Sequence, residues 1–122
     1  MHPLLPVMVG GAIGAGLRYL TGTCLSARFG AALPWGTLTV NLAGGLAMGI
    51  LAGLVLRGQA SETLRLFAGV GILGGFTTFS AFSLESWQMI ERGQAGLAAG
   101  YALASVIGSI AALAAGYWLV RA

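Results

Sequence analysis

Apolar and polar positions divide the chain into four long apolar runs, at about 4–25, 35–56, 64–90 and 97–120, separated by short polar stretches at 27–34, 57–63 and 91–95. A helix needs about 20 mostly apolar residues to cross a bilayer, so each run is long enough to span one. Pro34 suits a helix start at the second run. Ser61 followed by Glu62 reads as an N-cap with an acid in the first turn of the third. Connections this short make successive helices antiparallel neighbours. The pattern predicts an all-α integral membrane protein: one domain of four transmembrane helices over residues 1–122.

Composition points the same way. Apolar residues make up 57% of the 122 and charged ones 7%, against about a quarter charged in an ordinary soluble domain. A chain this short cannot hide so much apolar surface inside itself, so lipid must cover the rest. The lone cysteine, Cys24, rules out an intrachain disulfide. Met1, His2 and Pro3 provide no basic flank, and Gly10, Gly11 and Gly14 interrupt the first apolar run. No cleaved signal peptide is expected.

The net charge of +3 comes from six arginines, with no lysine, against Glu62, Glu85 and Glu91. The arginines are scattered, which excludes the clustered basic face of a nucleic-acid binder and fits anchoring of loops at the membrane surface. With four spans, Arg57, Arg65 and Arg121 fall on one side and Arg28 and Arg92 on the other. So slight a bias permits insertion in both orientations, and hence an antiparallel homodimer of inverted copies. Gly45, Gly49 and Gly53 recur every four residues in the second run, as do Gly96, Gly100, Ala104, Gly108, Ala112 and Gly116 in the fourth. Such spacing serves close helix packing, either within the chain or between copies. Four short helices scarcely enclose a polar path, which favours an oligomer.

Polar side chains at membrane depth are costly and usually functional. Thr37 and Asn41 lie one turn apart in the second run. Asn41 could make an interhelical hydrogen bond or offer its N–H donors to an anion. Tyr101, Ser105 and Ser109 fall at i, i+4 and i+8 on one face of the fourth run. They form either a row of hydroxyls along an ion path or serines bonded back to their own helix. In the third run, Gly74 and Gly75 are followed by Thr77 and Thr78. Adjacent glycines each cost about 1 kcal/mol in a helix interior. The helix here is either flexible or broken, and a break would free carbonyls of the kind that bind monovalent cations inside membranes. Phe76, Phe79 and Phe82 recur every three residues, as packing aromatics or as rings whose positive edges face a small anion.

Three segments carry a resemblance to a known family: Gly10-Gly11-Ala12-Ile13-Gly14-Ala15-Gly16-Leu17-Arg18-Tyr19, Gly36-Thr37-Leu38-Thr39-Val40-Asn41-Leu42-Ala43-Gly44, and Gly74-Gly75-Phe76-Thr77-Thr78-Phe79-Ser80-Ala81-Phe82. In this order, on a four-span chain, they resemble the Fluc (CrcB-type) fluoride channels over nearly the whole length. The resemblance implies a passive fluoride channel that protects the cell. It would be a multi-pass protein of the inner (plasma) membrane, forming an antiparallel, dual-topology homodimer with two pores and a structural sodium ion at its centre. It also implies a broken third helix whose Gly74 and Thr77 carbonyls hold the sodium. Phe79, Phe82 and Asn41 would line the pore. Tyr101, Ser105 and Ser109 would form a polar track that extends to Thr37, and Arg18 would take a vestibule or anchoring role. Ala81 departs from the pattern, where the family often carries threonine. This removes one hydroxyl between the two rings.

Two other classes compete. A small proton-coupled multidrug transporter should carry a carboxylate in its first span, but this chain has Arg18 and no acid there, and Glu85, the only candidate acid within a span, lies near the end of the third. A structural membrane subunit would tolerate substitution at Asn41 and the phenylalanines. An enzyme is not expected, because His2 is the sole histidine and no nucleophile–base pair or metal-ligand cluster appears.

Overall fold

The computed structural model describes residues 2–121; Met1 and Ala122, at the ends of the expected domain, lie outside the described residues. Four helical segments are long and apolar enough to cross a membrane: Leu4–Phe29, Trp35–Leu56, Glu62–Glu91 and Ala95–Arg121. The first, second and fourth are the continuous helices α1 (Leu4–Phe29), α2 (Trp35–Leu56) and α6 (Ala95–Arg121). Helix α2 begins after Pro34, as expected. Ser61 caps the third segment, its Oγ accepting from the Leu64 N–H at 3.0 Å, with Glu62 in the first turn.

The third segment is compound. A single turn, α3 (Glu62–Leu64), leads into a π-helical stretch, Arg65–Leu73, and then the turn α4 (Gly74–Phe76). Thr77, with φ −82° and ψ 159°, is extended, so the helix stops there and restarts as α5 (Ser80–Glu91). The structure thus has the broken rather than the flexible form of the glycine–threonine segment. Nothing in the residue pattern announced the π-helical stretch, a wide geometry that recurs at functional positions.

The two halves of the broken segment have different neighbours. The π-helical stretch and α4 pack on α1, whereas α5 packs on α6. The first contact is backbone on backbone. A Cβ on Gly14 would overlap the Ile72 carbonyl and lie 2.8 Å from the Phe76 nitrogen, and one on Gly75 would lie 2.6 Å from the Gly11 oxygen. Only glycine permits that approach. The same device joins α2 to α6, where a Cβ on Gly45 would meet the Ser109 oxygen at 2.8 Å, and one on Gly49 the Leu113 oxygen. Intramolecular packing therefore accounts for the stripe on α2 and for Gly108 and Gly116 on α6. Gly96 and Gly100 face open space, and Ala104 is exposed.

A small core of Met89, Ala98 and Tyr101, with Leu38 and Phe82 against it, fixes α5 to α2 and α6. Most large apolar side chains on the outer faces are exposed, as a lipid-facing surface requires.

Candidate functional site

Asn41 projects from α2 onto the helix break. Its Nδ2 donates to the Thr78 carbonyl at 3.0 Å, and its Oδ1 accepts from the Thr78 N–H at 2.9 Å. The amide orientation follows from the chemistry of Thr78, since the reverse would set donor against donor. Interrupting a helix at membrane depth strands backbone groups that lipid cannot satisfy, at several kcal/mol each, and Asn41 satisfies two of them. Thr78 Oγ1 completes the restart of α5 by accepting from the Ala81 N–H at 3.2 Å.

Arg18 acts on the other edge of the break. Its Nε, midway along α1, donates to the Gly75 carbonyl at 3.1 Å. A guanidinium at this depth costs about 2.5–3.5 kcal/mol on insertion scales, and among the described residues Arg18 forms no ion pair. The Thr77 N–H still donates to the Leu73 carbonyl at 3.0 Å, and the Thr77 hydroxyl shares that acceptor at 2.9 Å. Among the described residues, no hydrogen bond is made to the carbonyl of Gly74 or of Thr77, because the N–H groups of Thr78 and Ala81 bind side chains instead.

A cavity of about 400 Å³ lies between α2, the break and α6, lined among others by Asn41, Thr78, Phe79, Phe82, Ser105 and Ser109. Ser105 is only 6% exposed, and its Oγ has no hydrogen-bond partner among the described residues. It does not bond back to its own helix, so one of the alternatives for the α6 hydroxyl row falls away at this position. Phe79 and Phe82 stand with centroids 5.6 Å apart at 46°, and Phe82 and Tyr101 5.2 Å apart at 49°. The three rings form a tilted series leading from the break towards α6. Phe79 remains 77% exposed on the single chain, although it sits at mid-span.

Two of the expected pore residues meet elsewhere. Thr37 Oγ1 donates to Glu85 Oε2 at 2.9 Å, and the Tyr101 hydroxyl donates to Glu85 Oε1 at 3.0 Å. Neither Thr37 nor Tyr101 is among the residues that line the cavity holding Ser105. Both carboxylate oxygens of Glu85 are thereby engaged in a junction of α2, α5 and α6. Sequence alone assigned Glu85 no role in the site. The available signal was a lone acid inside an apolar span, which at that depth needs donors from neighbouring helices. A second, smaller cavity of about 220 Å³ on the α1 side is lined by Arg18, Thr37, Thr78 and Ala81, so Thr78 borders both spaces. Ala81, the departure from the family pattern, faces this second space. Among the described residues no three His, Cys, Asp or Glu side chains cluster as metal ligands, so a cation held here would depend on carbonyl oxygens.

Comparison with known proteins gives a consistent set of relatives. Residues 5–117 match the family model described as CrcB-like protein, Camphor Resistance (CrcB). The chain is 57% identical to the fluoride-specific ion channel FluC of Sphingopyxis alaskensis, over 99% of this chain and 97% of that protein. It is 52% identical to the protein of the same name from Chelativorans sp., over 99% and 98% of the two chains. For that of Mesorhizobium japonicum the identity is 51%, again over 99% and 98%.

Proposed function

The chain belongs to the CrcB-like family, and from that premise we propose that it is a fluoride-selective channel of the inner membrane. It has no enzymatic activity and lets fluoride leave the cell passively, down its gradient. The observation that carries this reading is the buried Ser105 hydroxyl, without a protein partner, opening on a cavity that also holds Asn41, Phe79 and Phe82. Leaving such a group unsatisfied costs about 1–3 kcal/mol, so a site of this kind is built to receive an acceptor.

Fluoride is a small, tightly hydrated acceptor, and a pore must replace its water along the whole path. Ser105, Ser109 and the Asn41 amide supply N–H and O–H donors, and the edges of Phe79 and Phe82 supply weaker positive potential. Conduction also requires that the ion leave, so no single site can bind it strongly. The lining contains no arginine, which fits that demand. Tyr101 and Thr37 join the path through Glu85. An ion that displaced the carboxylate from either hydroxyl would gain the donor that Glu85 now uses.

The working unit is an antiparallel homodimer. Phe79, mostly exposed at mid-span, needs a cover other than lipid if it is to face an ion. The open Gly96 and Gly100 offer a surface for close helix approach, and the near balance of arginines allows both orientations. A structural sodium ion at the dimer centre would be held by the Gly74 and Thr77 carbonyls of each copy. These carbonyls fit the group: they accept no hydrogen bond among the described residues, and hard oxygen donors at a helix break suit a monovalent cation. When bound, the ion supplies positive charge between the two pores and ties the two breaks together.

The drug-transporter alternative loses ground here, since both oxygens of Glu85 are occupied by hydroxyl donors rather than presented to a cationic substrate. The test is ion release from liposomes carrying the purified protein. We expect fluoride to leave and chloride to be retained, with no change when the proton gradient is collapsed. Equal loss of both halides would overturn the selectivity. Dependence on the proton gradient would overturn the passive mechanism.

A further inference from the structure

Two side chains from different helices hold the break in the third segment, each by occupying one of its carbonyls. Asn41 of α2 takes the carbonyl of Thr78, and Arg18 of α1 takes that of Gly75. The carbonyls of Gly74 and Thr77, proposed as cation ligands, are among those that keep no donor. We infer that Arg18 is a positioning residue for the cation site: it occupies the Gly75 carbonyl, removes that oxygen from those open to the ion, and leaves Gly74 and Thr77 to bind it. The inference rests on the reading of those two carbonyls as sodium ligands.

Several observations support a positioning role over general anchoring. The seam between α1 and the first half of the third segment is already close, through Gly10, Gly11 and Gly14 against Gly71 and Gly75. Arg18 lies just beyond the end of that seam, where the glycine contacts stop and the helix breaks. Gly75 is packed on Gly11 and Ala15, but Gly74 beside it is open: a Cβ there would have only one neighbour, at 3.7 Å. A fixed donor on the Gly75 oxygen therefore sets the orientation of the adjoining peptide. Arginine suits the task because its planar guanidinium is always charged and offers a rigid set of donors, whereas the lysine ammonium is mobile and strongly hydrated. A guanidinium against Gly75 also repels a cation from that oxygen, which favours the Gly74 and Thr77 carbonyls.

The experiment is thermal unfolding of the purified protein in detergent micelles across a sodium titration, with ionic strength held constant by an organic cation. The wild-type protein should unfold at a higher temperature as sodium rises, with a definable half-saturating concentration. Arg18→Met should raise that concentration at least ten-fold. Arg18→Lys should raise it at least three-fold but less than Arg18→Met, since it keeps a donor of similar reach. A lower melting temperature with an unchanged sodium midpoint in Arg18→Met would reduce Arg18 to an ordinary anchor and overturn the inference alone. If Arg18→Met does not fold, a wild-type midpoint in Arg18→Lys overturns it equally. No sodium-specific stabilisation of the wild-type protein would overturn the cation reading itself, and the role of Arg18 with it.

Discussion

Asn41 grips Thr78 by both ends of its amide, Nδ2 on the carbonyl at 3.0 Å and Oδ1 on the N–H at 2.9 Å. A side chain on the second span thus completes the backbone of the third at the point where its helix stops. The same residue lines the cavity that also holds the unpartnered Ser105 hydroxyl. Asn41→Asp keeps the size and one acceptor, but it removes the donor to the Thr78 carbonyl and adds negative charge facing the anion path. Fluoride release from liposomes should fall at least roughly ten-fold, equivalent to about 1.4 kcal/mol. Release at the wild-type rate would mean that Asn41 serves neither function.

Ser105→Ala separates conduction from folding. The hydroxyl has no protein partner, so its removal relieves an unsatisfied buried group and should leave the melting temperature unchanged or higher. Fluoride flux should nevertheless drop. A variant that is less stable but conducts normally would show the hydroxyl to be structural.

Phe79→Ile keeps apolar bulk and removes the ring edge. Flux should be nearly abolished, while the protein elutes as the same oligomer by size-exclusion chromatography. Undiminished flux would remove Phe79 from the pore.

Glu85→Gln leaves a single side-chain oxygen for two hydroxyl donors, those of Thr37 and Tyr101. One hydroxyl must then turn to accept from the amide N–H, and both charge-assisted bonds become neutral ones, a loss of about 1 kcal/mol. The melting temperature in detergent should fall accordingly. No change in stability would mean that the junction of α2, α5 and α6 is held by the Met89, Ala98 and Tyr101 core alone.

Gly14→Ala places a methyl group against the backbone of Ile72 and Phe76. Backbone cannot swing aside as a flexible side chain can, so the overpacking should cost about 1–3 kcal/mol or more. Gly16→Ala in the same helix meets nothing within 4 Å and should be neutral or slightly stabilising through helix propensity. Equal behaviour of the two variants in thermal unfolding would discount the glycine seam.

The sequence by itself determined the four spans, their near boundaries, the Ser61 cap and the region of the break. These follow from local quantities, namely the length of an apolar run against the thickness of a bilayer, and the helix cost of adjacent glycines. It also singled out Asn41, Phe79, Phe82 and Ser105, because a polar or repeated aromatic residue inside lipid stands out whatever surrounds it. Tertiary structure alone decided partnership. Thr37, Glu85 and Tyr101 lie far apart along the chain and become one junction only when α2, α5 and α6 converge. The glycine stripe on α2 fitted either a neighbouring helix or a second copy until its contacts with α6 were visible. A hydrogen bond such as Arg18 to Gly75 depends on which helices lie side by side, and residue spacing within one helix carries no information about its neighbour.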